Sequence, residues 1–595
     1  MSFSLIAAAC GGNDDGTTSS DDDTEAEAPS GDDADGGDDA DDGGDADDGA
    51  DDQGEAEEEV ADVDAGVQEE VVEADEEEAG PTQGGTLRYG LEADVDGINP
   101  ASSSLSAPGL TMANAVFDTL TAATTDGEFV PYLAESVEPV DDTFATWQVT
   151  LREGITFHDG TPLNAEAVQI NFETQRADPL VGLAVAPFFP AEGASEIIDD
   201  LTIQYNLLEG NRYFAGNLST QLGYVASPTW LAAALEDPTL NQQPVGTGPF
   251  VFEQRSEDSV TTFVRNDAWW NGEVYLDSVE FAPVTDPDNR TDLLLEGDLN
   301  ALHTTNPPSV QIMRDEEGIQ NVVDESGEES FAMINTGVPP FNDIRAREAL
   351  ARATPLENYR TLIGVGVSTA ANQRYTPGSR FYNPDVVQVG DDPDGALALV
   401  ADYCASNGAD ENPILGGAAC TDGRINIELQ WSGPAVVQTR IAEILDEGWS
   451  AGGFNVTFNE LPQDAHIQET ALGQYNVNTW RQFGATDPSS DNVWLLCRSI
   501  GFISLNWPKN CNEAKDALML EGQLIENGPE RDALYQQLEQ ITNDEYLYIY
   551  FLHTIWDNAF GPDVRGVCDR TAPGGEELIC STNGRTWFDT VYIVE

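Results

Sequence analysis

Residues 133–173 read LAESVEPVDDTFATWQVTLREGITFHDGTPLNAEAVQINFE, and the folding of that stretch decides what kind of protein to expect. Trp147, Val149 and Leu151 alternate with polar residues, the period of a strand with one buried face. Ile155 and Phe157 resume the alternation beyond Arg152-Glu153-Gly154, which predicts a two-stranded hairpin. Asp159-Gly160 supplies turn chemistry, and Thr161-Pro162 keeps the chain extended. Asn164 is placed to cap a helix over AEAVQINFETQ, whose Val168 and Phe172 share a face. His158 beside Asp159 raises the alternative of a catalytic base and its orienting carboxylate. No serine or cysteine lies within local reach as a nucleophile. Every residue of FHDGTP has a local structural role, so the segment is read as a turn.

Working outward, 595 residues with 40% hydrophobic content suffice for two or more domains. Acids number 109 and bases 24, a net charge of −85. Residues 11–85 hold 32 of the acids and no Lys or Arg, which leaves 77 acids against 24 bases for residues 86–595. Such a surface does not hold nucleic acid by charge. Salt adaptation and a preference for cationic solutes both fit the acidity.

The start, SFSLIAAACGG, resembles a bacterial lipobox, although the basic region of a signal peptide is missing. Residues 1–10 are read as a signal-peptide remnant with lipidation at Cys10. Residues 11–83 have too little apolar mass to bury and too much like charge to collapse, which predicts a disordered acidic tether. The other six cysteines fall into local pairs, and the pairing expected is Cys404–Cys420, Cys497–Cys511 and Cys568–Cys580, because short loops close cheaply. Three disulfides place the protein in an oxidising compartment.

Catalytic templates fail. GVGVST lacks the last glycine of a dinucleotide loop, and DPDNRTD opens like a calcium loop before Arg290 breaks it. No catalytic residue, metal or cofactor is expected.

The block 133–173 also resembles the signature region of the extracellular solute-binding proteins of family 5, the peptide and nickel receptors of bacterial ABC importers. GGTLRYGLEADVDGINP, PVGTGPFVFEQ with RNDAWWNG, FAMINTGVPPFNDIRAREALARAT, and QYNVNTWRQFGATDPSSDNVWLL resemble further blocks in the family's order. The resemblance covers roughly residues 84–595. It implies an α/β, two-lobed periplasmic-binding-protein-like fold, type II, of the large cluster with an extra subdomain, and a hinged cleft between the lobes. Lobe one would comprise 84–332 and 555–595, with an inserted subdomain at about 131–246, and lobe two 333–554. The hinge crossings are expected at Phe331–Thr336 and Leu547–His553. The protein would be a monomeric receptor on the outer face of the cell membrane, held there by its lipid. Its partners would be a small solute, oligopeptides included, and the permease subunits of an ABC transporter. The alternative is an extracytoplasmic hydrolase on the same scaffold.

Peptide-binding members of the family anchor the free amine with an aspartate in the loop after the cleft strand. Here Thr486 falls at that position and Asp487 one residue later. Either the loop shifts so that Asp487 serves, or the solute lacks a free amine. Trp480 and Phe483 either wall the pocket or pack in the core. Arg481 meets a solute carboxylate or a surface acid. Arg374 falls in a loop that the family brings near the cleft, and Asn335 either bonds solute or ties its own turn.

Overall fold

A computed structural model describes residues 80–594 apart from 104, 326–327 and 434–435. The expected lipidation at Cys10 and nearly all of the expected tether lie outside the described residues.

Three sheets of four or more strands carry the fold. The first has seven strands, in the order Gln320–Asp324, Trp556–Phe560, Ala301–Thr304, Thr86–Leu91, Ser278–Pro283, Val260–Arg265, Phe250–Ser256. Thr86–Leu91 lies parallel to both neighbours and buries Leu87, Tyr89 and Leu91 on one face, while Arg88 on the other face stays exposed. The second sheet runs Cys420–Thr421, Arg424–Ser432, Val477–Gln482, Glu329–Ile334, Tyr548–His553, with Phe454–Leu461 parallel to Arg424–Ser432. The third is antiparallel, in the order Ala134–Pro139, Thr146–Leu151, Thr202–Asn206, Ser195–Ile197. Each sheet has its own core, exemplified by Phe263, Phe281 and Phe588 in the first, Ile427, Leu429 and Trp449 in the second, and Trp147, Phe172 and Tyr205 in the third.

The chain passes from the first sheet to the second between Asp324 and Glu329, and returns between His553 and Trp556. This corrects the hinge positions expected at Phe331–Thr336 and Leu547–His553. Phe331–Ile334 and Tyr548–His553 are ladder residues of the second sheet, where Phe331 pairs with both Trp480 and Tyr550. Their apolar character fits them for a buried strand, so the links fall outside them, toward the first sheet, and the return link, Thr554-Ile555, is itself buried.

In the stretch 133–173, Thr146–Leu151 buries Trp147, Val149 and Leu151 as the alternation requires. Its partners are Ala134–Pro139 and Thr202–Asn206, and the hairpin with Ile155–Phe157 does not form. Alternation identifies the buried face and says nothing of the partner. Ile155 and Phe157 still enter that core from a turn. The helix Ala165–Ala177 starts where expected, with Asn164 accepting from the Ala167 N–H at 2.8 Å. Asp343 likewise caps Ile344–Ala353. Disulfides join Cys404–Cys420, Cys497–Cys511 and Cys568–Cys580. Among the described residues no helix is long and apolar enough to cross a membrane.

Candidate functional site

A cavity of about 260 Å³, just below the roughly 300–1,000 Å³ typical of small-molecule sites, lies where the end of the second-sheet strand Val477–Gln482 and the segment after it face loops and helices of the rest of the chain. The strand Val477–Gln482 ends in Phe483 and Gly484, both with positive φ (76° and 86°), which turn the chain toward the cavity. The 3₁₀ segment Pro488–Trp494 follows, and this side contributes Phe483, Thr486, Asp487, Asp491 and Trp494. The facing side contributes Phe117, Asp118, Phe129 and Tyr132, with Arg570, Arg585 and Trp587 from the C-terminal return.

FHDGTP shapes this site without entering its chemistry. The His158 Nε2 meets the Gly248 carbonyl at 3.0 Å, and Nδ1 accepts from the Gly246 N–H at 3.4 Å, a pattern that one neutral tautomer satisfies. Burial holds the ring's pKa below the usual histidine range, which outweighs its hydrogen bond to Gly248. The clamped turn GTGP crosses directly over the end of the helix Ala107–Val116. A Cβ on Gly246 would lie 2.0 Å from the Val116 oxygen, and one on Gly248 2.6 Å from the Val116 carbon, so only glycine fits. This contact seats the next residues, Phe117 and Asp118, in the cavity wall. The Thr247 hydroxyl then donates to Asp118 at 2.9 Å, and the Trp270 indole N–H donates to it at 2.8 Å. Burial pushes Asp118 up to about 6 against those hydrogen bonds.

Of the residues singled out in the sequence, Phe483, Thr486 and Asp487 line the cavity, while Trp480, Arg481, Asn335 and Arg374 lie outside its lining. Asp487 is already occupied. Arg531 donates to both its oxygens, at 2.7 and 2.8 Å, and the Ser489 N–H donates at 2.9 Å. Thr486 offers only a hydroxyl. Arg481 leaves the second sheet to reach Glu92 at 3.0 Å and Thr305 at 2.7 Å beside the first, with its guanidinium over Trp556. Arg374 is buried against Glu539 at 2.8 Å. Asn335 ties its own turn, donating to the Gly473 and Tyr475 carbonyls and accepting from Gly337. Trp480 packs on Trp507, 4.6 Å between ring centroids.

The sequence reading missed Asp118, Asp491, Trp494, Arg585 and Trp587. Asp491 sat in view within DPSSDN, and Asn583-Gly584 is a turn signal that announces the hairpin carrying Arg585. Asp491 is enclosed, and burial pushes it up to about 7, countered by Arg374 and a hydrogen bond from the Ala485 backbone. Among the described residues no cluster of His, Cys, Asp and Glu is arranged to hold a metal ion.

Comparison with known proteins places this geometry. The family described as bacterial extracellular solute-binding proteins, family 5 Middle, matches residues 128–502. Di/tripeptide-binding protein 2 of Pseudomonas aeruginosa is 23% identical over 507 residues, covering 81% of this chain and 92% of its own. The binding protein DppA of Helicobacter pylori, solved with the peptide STSA, superposes with a TM-score of 0.72 at 19% identity, over 86% of this chain and 99% of that one. AgaA of A. tumefaciens R10, solved with agropinic acid, gives 0.73 at 19% identity, over 86% and 99%.

Proposed function

From its membership of the bacterial extracellular solute-binding proteins, family 5, to which this chain belongs, we propose that it captures a small solute in the cavity between its two large sheets and hands it unaltered to an ABC-type permease. The observation that carries this is the cavity's position, lined by loop and helix residues such as Phe117, Asp118 and Tyr132 on one side and by the segment that follows the second-sheet strand Val477–Gln482 on the other, two parts of the chain whose sheets are joined by two passages among the described residues. A solute that touches both walls favours the arrangement in which they are together, and rotation about two links is the least costly way to reach it. The protein acts as a monomer outside the cytoplasm, with a lipid at Cys10 keeping it near its permease and residues 11–83 setting its reach. It performs no catalysis. The histidine that invited an enzymatic reading is a neutral clamp on the GTGP turn.

Thermal melting tests the reading. A solute present at about 100 times its dissociation constant adds roughly 2.7 kcal/mol of stability, and a bound but unconverted solute sustains that shift for hours. A shift that decays as the solute is consumed, or the absence of any stabilising solute, overturns it.

A further inference from the structure

The flank of the cavity beside Asp487 is closed by a seam. One edge is residues 207–213, LLEGNRY, which leave the third sheet directly after the strand Thr202–Asn206. The other edge is residues 522–531, between the helices Glu513–Gly522 and Pro529–Asp544 on the second-sheet side. Gly210 makes the approach possible. A Cβ there would lie 1.9 Å from the Thr143 oxygen and 2.9 Å from the Leu524 side chain, so only glycine fits between them. The Asn211 N–H donates to the Phe144 carbonyl at 3.0 Å, and its side chain accepts from the Tyr213 N–H at 2.9 Å, which fixes the backbone that carries Arg212 and Tyr213.

Across the seam the Arg212 N–H donates to the Gln523 carbonyl at 2.9 Å, and the Gln523 side-chain amide donates back to the Gly210 carbonyl at 2.8 Å. The Tyr213 hydroxyl donates to the Ile525 carbonyl at 2.8 Å, and the Arg212 Nε to the Leu524 carbonyl at 3.4 Å. Carbonyls just past a helix end have lost their helical donors, and here the facing loop supplies replacements. Arg212 also pairs with Glu526 at 2.8 Å, and Arg498 pairs with Glu209. Exposed ion pairs alone hold little, but the bonds to backbone add a fitted joint. The joint borders the cavity directly. The Tyr213 ring lies on Arg531, the guanidinium that grips the cavity residue Asp487. Ser490, another cavity residue, donates to the Asn217 side chain at 2.7 Å, and Asn217 adjoins Gly216 in the opposite wall.

Given that the cavity is a receptor's binding site, a premise on which this inference rests, we propose that the seam is the cavity's end stop, and that Arg212, Tyr213 and Asn217 set the longest solute the closed receptor accepts. About 260 Å³ is enclosed. A solute too long for that space either parts the seam or keeps the two sides from meeting, and in both cases the seam's bonds are lost. A short solute keeps them, so the difference in affinity between short and long solutes is the strength of the seam.

The test uses the full chain washed free of co-purified solute, with pools of dipeptides, tripeptides, pentapeptides and octapeptides as probes and thermal-melting titrations as the readout. The wild type binds the short pools and loses roughly 10- to 100-fold at one step up the series, the loss of two or so hydrogen bonds. Arg212→Ala with Tyr213→Phe and Asn217→Ala cuts side-chain ties of the seam from residues outside the cavity lining. In that variant the step shrinks to roughly threefold or less, because the short pools weaken toward the level of the long ones, and they dissociate faster in stopped-flow release. Melting of the solute-free variant reports whether it folds. Asn217→Ala alone is the milder change, and it reduces the step and speeds release in the same direction if the triple variant does not fold. The proposal is overturned if the wild type binds octapeptides as tightly as dipeptides, or if the folded variants keep the full step and the wild-type release rate. Peptides that have no effect on a chain that carries a co-purified solute defeat the end stop and leave the receptor reading standing. If no solute co-purifies and no probe acts, both fall.

Discussion

Replacing Asp487 by asparagine separates a structural carboxylate from a solute anchor. The Arg531 side chain is fully buried and that of Asp487 is 7% exposed, with two charge-assisted bonds between them. Arg531 also donates to the Gly522 carbonyl at 2.8 Å and lies 3.7 Å from the Tyr213 ring centroid, so it has no route to solvent. Removing one partner of such a pair leaves an uncompensated buried charge, at a cost of about 3–5 kcal/mol. Removing both, in Asp487→Asn with Arg531→Met, recovers a large part of that loss, because the stranded charge is gone. Urea denaturation followed by tryptophan fluorescence measures the stabilities, and a solute titration of each folded variant measures affinity. Affinity should change by less than about tenfold, since both Asp487 oxygens are committed to protein donors. The reasoning is refuted if Asp487→Asn costs under about 1 kcal/mol while affinity falls a hundredfold, which would make Asp487 the solute's anchor.

Asp491 is pushed up to about 7, so it stays neutral in the fold between roughly pH 4 and 7, where the unfolded chain ionises. Its contribution is present at low pH and is lost as pH rises to 7, at about 1.4 kcal/mol per pH unit and roughly 4 kcal/mol in all. Asp491→Asn should remove that slope from solute-free stability, and an unchanged pH profile contradicts it. The charged groups facing it are Arg374, Asp487, Glu539 and Glu329, and none of these changes in the variant. Gly246→Ala places a methyl against the Val116 oxygen and should cost about 1–3 kcal/mol, read by thermal melting. Reducing Cys404–Cys420, which closes a 16-residue separation, should cost about 3 kcal/mol, checked by denaturing a Cys404→Ser/Cys420→Ser variant.

Local chemistry made much of the fold legible. Asn164 as a cap, the buried face of Trp147, Val149 and Leu151, and the three short-range cysteine pairs all come from residues close in sequence. What escaped was non-local. Nothing in the alternation of Trp147, Val149 and Leu151 tells it to pair with Thr202–Asn206 instead of Ile155–Phe157. Asp487 reads as a free acid until Arg531, 44 residues later, is folded against it. The cavity draws on segments as far apart as Asp118, Asp491 and Arg585, and no spacing rule joins them. His158 was legible as part of a turn, while its hold on Gly246 and Gly248 was not.

Native mass spectrometry of protein gently purified from its own cells bears most directly on the idea of a cavity that binds and does not convert. The expected spectrum shows one small molecule per chain, which denaturation releases at a mass that stays the same through hours of incubation at working temperature. A chain with no bound molecule under any preparation, or a released molecule whose mass changes with time, contradicts the account.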